Sequence, residues 1–166
     1  MTLATIGCAS QSELSSFSCG NEELDKYLRE FALINDKNGY GKTFLLYDDK
    51  ELVGFFTLSS ASIRYEDLPK KKSIPRYPIP AVRIARLAVR KDKQGKGYGA
   101  ELLKQAFLRI MVISEKVGVR LIVVDAKETS ASFYEHYGFS RLKDDGLTYY
   151  LLLETLLKAF SLAIKE

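Results

Sequence analysis

The 166-residue chain predicts an α/β fold, a single domain built on a mixed sheet, and three observations carry that expectation. Some segments repeat apolar residues with a period near 3.6, while others run as β-rich apolar blocks. The two kinds follow one another along the chain and do not segregate into halves. With 46% hydrophobic and 28% charged residues, the whole of residues 1–166 suits one globular domain large enough for a full core.

The elements read β, α, β, β, β, α, β, α, β, with an added tail. NEELDKYLREFALI sets Leu24, Tyr27, Leu28 and Phe31 at helical spacing, with Asn21 placed to cap it and two acids in its first turn. KTFLLYD and ELVGFFTLSSASI are β-rich runs joined at Asp48, Asp49 and Lys50, which predicts a hairpin. Residues 64–80 turn polar and hold Pro69, Pro75, Pro78 and Pro80, the one long loop and therefore a functional candidate. AVRIARLAV is a strand, a glycine-rich turn follows, and AELLKQAFLRIMVISEKVG is a helix of about five turns ending near Gly118. VRLIVVDA is continuously apolar, the pattern of a strand covered on both faces. A short helix TSASFYEHY stops at Gly138. The strand FSRL, a turn around residues 144–146, the strand LTYYLLL and an amphipathic helical tail over residues 154–166 complete the chain.

Several function classes are excluded early. No run approaches the 18 apolar residues of a membrane span, and MTLATIGCAS lacks the basic start of a secretory signal, so the expectation is a cytoplasmic protein without membrane contact. Cys8 and Cys19 fit no metal-ligand pair and are expected as buried thiols; no metal is expected. His136 is the only histidine, which counts against Ser-His and Cys-His hydrolases and leaves it a surface or boundary residue.

The net charge of +4 is unevenly placed. Residues 70–96 hold ten of the 25 basic residues, including Lys70, Lys71 and Lys72, against one acid, Asp92, which leaves 15 basic and 20 acidic residues elsewhere. Such polarisation fits a polyanionic ligand, the alternative for the lysine run being a solvated loop. At its end lies QGKGYGAELL, a glycine-rich turn opening a helix. Unpaired backbone N–H groups and the positive end of the helix dipole make such a turn an anion site. Gly95, Gly97 and Ala100 formally satisfy a dinucleotide pattern, and Gly95-Lys96 a Walker pattern. The first fails because the next strand delivers its acid, Asp125, too late; the second because Gly97 stands where Ser or Thr must reach magnesium. The alternative is a tight turn that lets a helix pack closely on a strand.

RLAVRKDKQGKGYGAELL resembles the acetyl-CoA signature of the GNAT family of N-acetyltransferases, a strand ending in an L-A-V type triplet followed by Q/R-x-x-G-x-G/A before a helix. Gln94, Gly97 and Ala100 fall in its defining slots, and ASFYEHYGF after VRLIVVDA resembles the family's second element. FSCGNEELDKYLREFA, VGFFTLSSASI, IPRYPIPAVRIARLAV and VVDAKETSASFYEHYGF are most similar to its toxin branch, whose members acetylate the α-amino group of aminoacyl-tRNA and so block translation.

The resemblance implies a GNAT fold, a mostly antiparallel sheet flanked by helices and splayed at the acetyl-CoA site. It implies that Gln94 belongs to the cofactor-binding residues and that N–H groups of Gly95, Lys96, Gly97, Tyr98, Gly99 and Ala100 cradle the pyrophosphate of acetyl-CoA, with Lys93, Lys96 or Arg90 available for the 3′-phosphate. The pantetheine arm pairs with the main chain of Leu87, Ala88 and Val89, where an N–H can also stabilise the oxyanion. The side chains of Leu87 and Val89 are expected to be core. Tyr134 falls beside the leaving thiolate, with Phe133 and Tyr137 as the helix's anchoring aromatics; the alternative is a buried tyrosine bonded to backbone. Many N-acetyltransferases carry a glutamate base on the strand before the glycine loop, where this chain offers Arg83 and Arg86. An α-amine, with a reference pKa of about 8, needs such a base less than a lysine of about 10.4, so water is the expected proton acceptor, with Glu66 a weaker candidate. Arg76, Arg83 and Arg86 are candidate contacts to RNA phosphates, and Tyr65 or Tyr77 could stack on a base. Arg90, where toxin relatives often have Asp, and the bulky Tyr98 depart from the pattern. A ribbon-helix-helix antitoxin is the implied partner, and the apolar tail over residues 156–164 is a candidate antitoxin or homodimer surface. Two further classes stay open, an ordinary N-acetyltransferase of a small amine, peptide or protein terminus, and a non-catalytic acetyl-CoA-binding module.

Overall fold

The computed structural model describes residues 1–69, 75–143 and 146–165, with side chains described through residue 162. The expected lysine run 70–72 and most of the turn at 144–146 lie outside them. The described strands are β1 (Thr2–Thr5), β2 (Lys42–Asp48), β3 (Glu51–Ile63), β4 (Ile79–Val89), β5 (Leu121–Asp125), β6 (Ser140–Arg141) and β7 (Thr148–Leu152). They form a seven-stranded sheet in the order β1-β2-β3-β4-β5-β7-β6. The β4–β5 pair is parallel, whereas β1–β2, β2–β3, β5–β7 and β6–β7 are antiparallel, so the sheet is mixed as expected. Chain contacts divide the molecule into two compact units, Met1–Ser59 with Ala85–Leu108, and Ser60–Ile84 with Arg109–Glu166.

The first unit begins with β1 and a helix the sequence reading passed over, α1 (Gln11–Ser16). Its signal was present: Ser10 accepts from the Glu13 amide at 3.2 Å, the cap a Ser-x-x-Glu start provides. The expected NEELD helix forms as α2 (Glu22–Lys26), a π-helical turn Tyr27–Phe31 and α3 (Ala32–Lys37), with Asn21 accepting from the Leu24 amide. The wider turn changes which residues face inward. Tyr27 and Leu28 are buried as expected, but Phe31 is 46% exposed, because one extra residue in the turn rotates it off the apolar face. The core of this unit gathers Ile6, Leu14, Phe17, Leu28, Phe55 and Ala88 among others. The β2–β3 hairpin turns at Asp49 and Lys50 with φ of 49° and 66°, a left-handed pair without glycine.

In the second unit, Leu121, Ile122, Val123 and Val124 of β5 are all 0–1% exposed, the doubly covered strand that the apolar run implied. Ile63, Leu68, Ile79, Leu142 and Tyr150 pack with it. The β4–β5 ladder runs from Ala81 to Ile84 and no further, so residues 85–89 continue β4 without a β5 partner. Helix α4 (Tyr98–Ser114) opens in the first unit, starting two residues before the predicted helix and ending short of Gly118. Helix α5 (Ala131–His136) ends at Gly138, whose φ of 94° allows Phe139 to turn back and donate to the Tyr134 carbonyl at 3.1 Å. Helix α6 (Leu153–Lys165) buries Leu153 and Leu156 and exposes Leu157 and Leu162.

Candidate active site

The end of β4 is shaped by an irregularity in β3. The β2–β3 register skips between Leu46 and Tyr47, leaving Val53 as a bulged residue, and its carbonyl accepts from the Arg90 amide at 2.8 Å. Next to it Gly54 allows a close approach, since a Cβ there would stand 2.7 Å from the Ala88 carbonyl oxygen and from Leu102 Cδ1. Bulge and glycine together fix the main chain of Leu87, Ala88 and Val89, the triplet expected to meet the cofactor. Ala88 is buried in the core, whereas Leu87 and Val89 are only partly buried, so their side chains are not the full core residues expected.

From there the loop is pinned at both ends. The Lys91 amide donates to the Ser18 carbonyl at 2.8 Å, and Gln94 Nε2 donates to the carbonyls of Cys19 at 2.8 Å and Val89 at 3.0 Å. Gln94 therefore holds the loop shape through its side chain. The buried Asp25 carboxylate in turn accepts from the Cys19 amide at 2.9 Å. Gly95 and Gly97 take φ of 76° and 88°, and a Cβ on either would meet no atom within 4 Å. Backbone conformation, not crowding, demands glycine there, which disfavours the close-packing alternative. Among the described residues the amides of residues 95–100 have no backbone partner, so six N–H groups stand unpaired in the loop and first turn of α4.

The surrounding charges are already largely balanced. Arg90 binds Asp92 at 2.6 and 3.0 Å and Glu51 at 3.3 Å, and Lys93 reaches Glu51 at 3.1 Å. Hydrogen bonding from Arg90 holds Asp92 below the usual carboxylate range, and Lys93 does the same to Glu51. Arg90 thus serves Asp92 of the loop and Glu51 at the start of β3. Lys96 is exposed and makes no ion pair among the described residues, leaving it the open cation of the three. Tyr98 finds a use for its bulk in a hydrogen bond to Asp48 of the hairpin, a partner 50 residues away that no local signal announces. An open cleft of about 660 Å³ lies against Ser16, Ser18, Arg90, Lys91 and Asp92.

The second unit carries Tyr134 on α5. It is 7% exposed, with Phe133 and Phe139 edge-on to its ring at 5.1 and 5.6 Å. The expected anchoring holds for the half-buried Phe133 and fails for Tyr137. Tyr137 is 38% exposed and Tyr134 with Phe139 does the anchoring, because the glycine stop brings Phe139 back under the helix. The Tyr134 hydroxyl makes no hydrogen bond among the described residues, so it is not the backbone-bonded tyrosine of the alternative. No buried side-chain nitrogen or oxygen there lacks a partner, which means that this hydroxyl reaches solvent while its ring does not. Burial raises its pKa to about 12.

The expected substrate arginines separate. Arg83 is ion-paired to Asp125, which also accepts from Thr148 at 3.0 Å; Arg76 is exposed and lies 5.7 Å from the Tyr65 ring; Arg86 lies 3.6 Å over the ring of Tyr27 in the first unit. Glu66 and Tyr77 are exposed. The cysteine expectation holds for Cys19, whose pKa burial lifts to about 11, and fails for Cys8, which is exposed with its sulfur 3.6 Å from Thr5 Oγ1. His136 is exposed, against the ring of Tyr137. No group of three metal-ligating side chains and no helix able to cross a membrane occurs among the described residues.

Residues 39–141 match the family model of the acetyltransferase (GNAT) domain. The chain is 36% identical to a tRNA-acetylating toxin of Mycobacterium tuberculosis over 145 residues, 86% of this chain and 87% of that one. Its fold is similar to that of AtaT complexed with acetyl-methionyl-tRNAfMet, with a TM-score of 0.86 at 26% identity over 96% of this chain and 98% of the other. It is also similar to AtaTR bound with AcCoA, with a TM-score of 0.82 at 26% identity over 96% and 97% of the two chains. The glycine loop, the β4 triplet before it and the matched span all point the same way: the chain belongs to the GNAT acetyltransferase family.

Proposed function

We propose that this enzyme transfers the acetyl group of acetyl-CoA to the α-amino group of aminoacyl-tRNA and acts as a toxin by blocking translation. The observation that carries the cofactor half is the set of six unpartnered amides on the loop that opens α4. The substrate half draws on the tRNA-acetylating relative, 36% identical over most of both chains. The family match runs through both compact units, which supports taking residues 1–166 as one acetyltransferase domain.

In this scheme the amides of residues 95–100 bind the pyrophosphate, and Lys96, with the cleft beside Arg90 and Lys91, takes the nucleotide end. The main chain of Leu87, Ala88 and Val89 aligns the pantetheine arm, and one of its N–H groups stabilises the oxyanion when the amine attacks the thioester carbonyl. Tyr134 donates a hydrogen bond to the departing thiolate. With its pKa near 12 against about 8.5 for a thiol, full proton transfer costs about 5 kcal/mol, so Tyr134 works as a donor while the incoming amine's proton completes the exchange. No acid stands on β4 in place of the arginines, and an α-amine needs none, since an appreciable fraction is neutral near pH 7.5. Arg76, exposed and 5.7 Å from the half-buried Tyr65 ring, is the cation of this loop proposed to meet RNA.

A ribbon-helix-helix antitoxin is the proposed partner, with the exposed Leu157 and Leu162 of α6 a surface for it or for a second copy, in the cytoplasm. One observation favours the alternative of a smaller amine acceptor: Asp125 already neutralises Arg83, which shortens the basic surface left for RNA. Label-bearing acetyl-CoA incubated with charged tRNA, uncharged tRNA and free amino acids separates the two. Label confined to charged tRNA is the expected result; label on free amines would establish the alternative.

A further inference from the structure

We propose that Arg86 is the anchor for a phosphate of the acceptor RNA next to the reacting amine, and that Tyr27 is the residue that positions it; this rests on the aminoacyl-tRNA function proposed above.

Arg86 differs from the other arginines of its strand and the loop after it. Arg83 is closed by Asp125, and Arg90 by Asp92 and Glu51. The Arg86 guanidinium makes no hydrogen bond and no ion pair among the described residues, and its one interaction is with the face of Tyr27, 3.6 Å from the ring centroid. Stacking on a ring uses the face of the guanidinium and leaves its in-plane N–H donors unused. Since no buried side-chain nitrogen among the described residues lacks a partner, those donors are open to solvent.

The platform beneath it is rigid. Tyr27 is 5% exposed and belongs to the same core cluster as Ala88, which shares a strand face with Arg86. Tyr27 also starts the π-helical turn, its carbonyl accepting from the Ala32 amide. That turn leaves Phe31 exposed to solvent, an unfavourable arrangement that a plain α-helix would avoid, and such turns recur at functional positions.

A planar fork held edge-outward is suited to two oxygens of one phosphate. Arg86 immediately precedes Leu87, within about 7 Å along the strand of the main chain proposed to align the thioester. In an aminoacylated 3′ end, the anionic group nearest the α-amine is a backbone phosphate. Gripping it would set the distance from the amine to the acyl carbon, so the effect should fall on acceptor binding and not on the cofactor.

The test compares wild type with Arg86→Gln, Arg86→Lys and Tyr27→Leu on two acceptors, an aminoacyl-tRNA and a phosphate-free aminoacyl-adenosine. For Arg86→Gln the expected result is a KM for charged tRNA raised about tenfold or more. The slope of its logarithm against log salt should shrink by about one. The acetyl-CoA Kd and the rate on aminoacyl-adenosine should stay within twofold of wild type. Arg86→Lys, which keeps charge without the fork, and Tyr27→Leu should fall between. If Arg86→Gln unfolds, judged by its melting temperature, Arg86→Lys carries the comparison of the two acceptors, with its salt slope expected to stay as in wild type because the charge is kept. Equal losses on both acceptors, an unchanged salt slope for Arg86→Gln or a weakened acetyl-CoA Kd would overturn the anchor while leaving the tRNA function intact. A wild-type enzyme that acetylates aminoacyl-adenosine but no charged tRNA would instead overturn the function on which the anchor rests.

Discussion

The glycine loop and helix α5 are built on opposite principles. In the loop, polar groups are left open and the scaffold around them is fastened: Gln94 holds two carbonyls, Ser18 takes the Lys91 amide, and Val53 takes that of Arg90. Nearby charges are cancelled among Arg90, Lys93, Glu51 and Asp92, so the backbone dipoles and the exposed Lys91 and Lys96 are the remaining sources of positive potential. In α5 the scaffold is aromatic and dry, and one hydroxyl emerges from it with its proton held more tightly than in water. A diphosphate calls for many weak fixed donors that need no reorganisation, whereas a leaving thiolate calls for one donor that cannot be lost to solvent. The difference predicts that damage to the loop will appear in cofactor affinity and damage to α5 in turnover.

The largest effect should come from Tyr134→Phe, with kcat lowered about 100-fold and the acetyl-CoA Kd, by calorimetry, within twofold. A comparable loss in both would erase the distinction. Gly97→Ala comes second: holding alanine at the φ of 88° costs about 1–2 kcal/mol, so acetyl-CoA should bind about tenfold more weakly while the melting temperature moves little. Gln94→Glu removes the donor to Cys19 and Val89 and sets oxygen against oxygen, for an expected fivefold or so weakening of the cofactor in the same titration. The pH dependence sharpens the α5 side. The Tyr134 pKa is raised from about 10 to about 12, so its contribution to stability is complete below pH 10 and is lost as pH rises through 12. A kcat–pH profile should accordingly show no fall due to Tyr134 below about pH 11, and Tyr134→Phe should keep the same alkaline limb. Smallest is Glu51→Gln, which breaks only exposed ion pairs and should leave the melting temperature at pH 7 unchanged.

Much of this was legible because it is local. The period of the apolar residues located the helices other than α1, the left-handed positions required glycine at 95 and 97, and the apolar run of β5 gave its burial. Position-specific resemblance singled out the loop and Tyr134, the residues that carry the proposed mechanism. What escaped depends on groups far apart in sequence. The bracing role of the Gln94 side chain needs Cys19, 75 residues earlier, to accept from it, and Arg83 reads as an open cation until β5 sets Asp125 beside it. Phe31 fits a helical stripe that only the π-helical turn breaks, and Tyr137 fits an anchor that the turn at Gly138 hands to Tyr134. Propensity and spacing carry no information on either.

The most direct test of the central claim is the mass of the 3′-terminal nucleoside released by nuclease from charged tRNA after incubation with the enzyme and acetyl-CoA. One acetyl group on the aminoacyl nitrogen, absent when the tRNA is uncharged or Tyr134 is replaced by Phe, is the predicted result. An unmodified terminal aminoacyl-adenosine, with acetyl groups recovered on free amines or on the RNA bases, would contradict it.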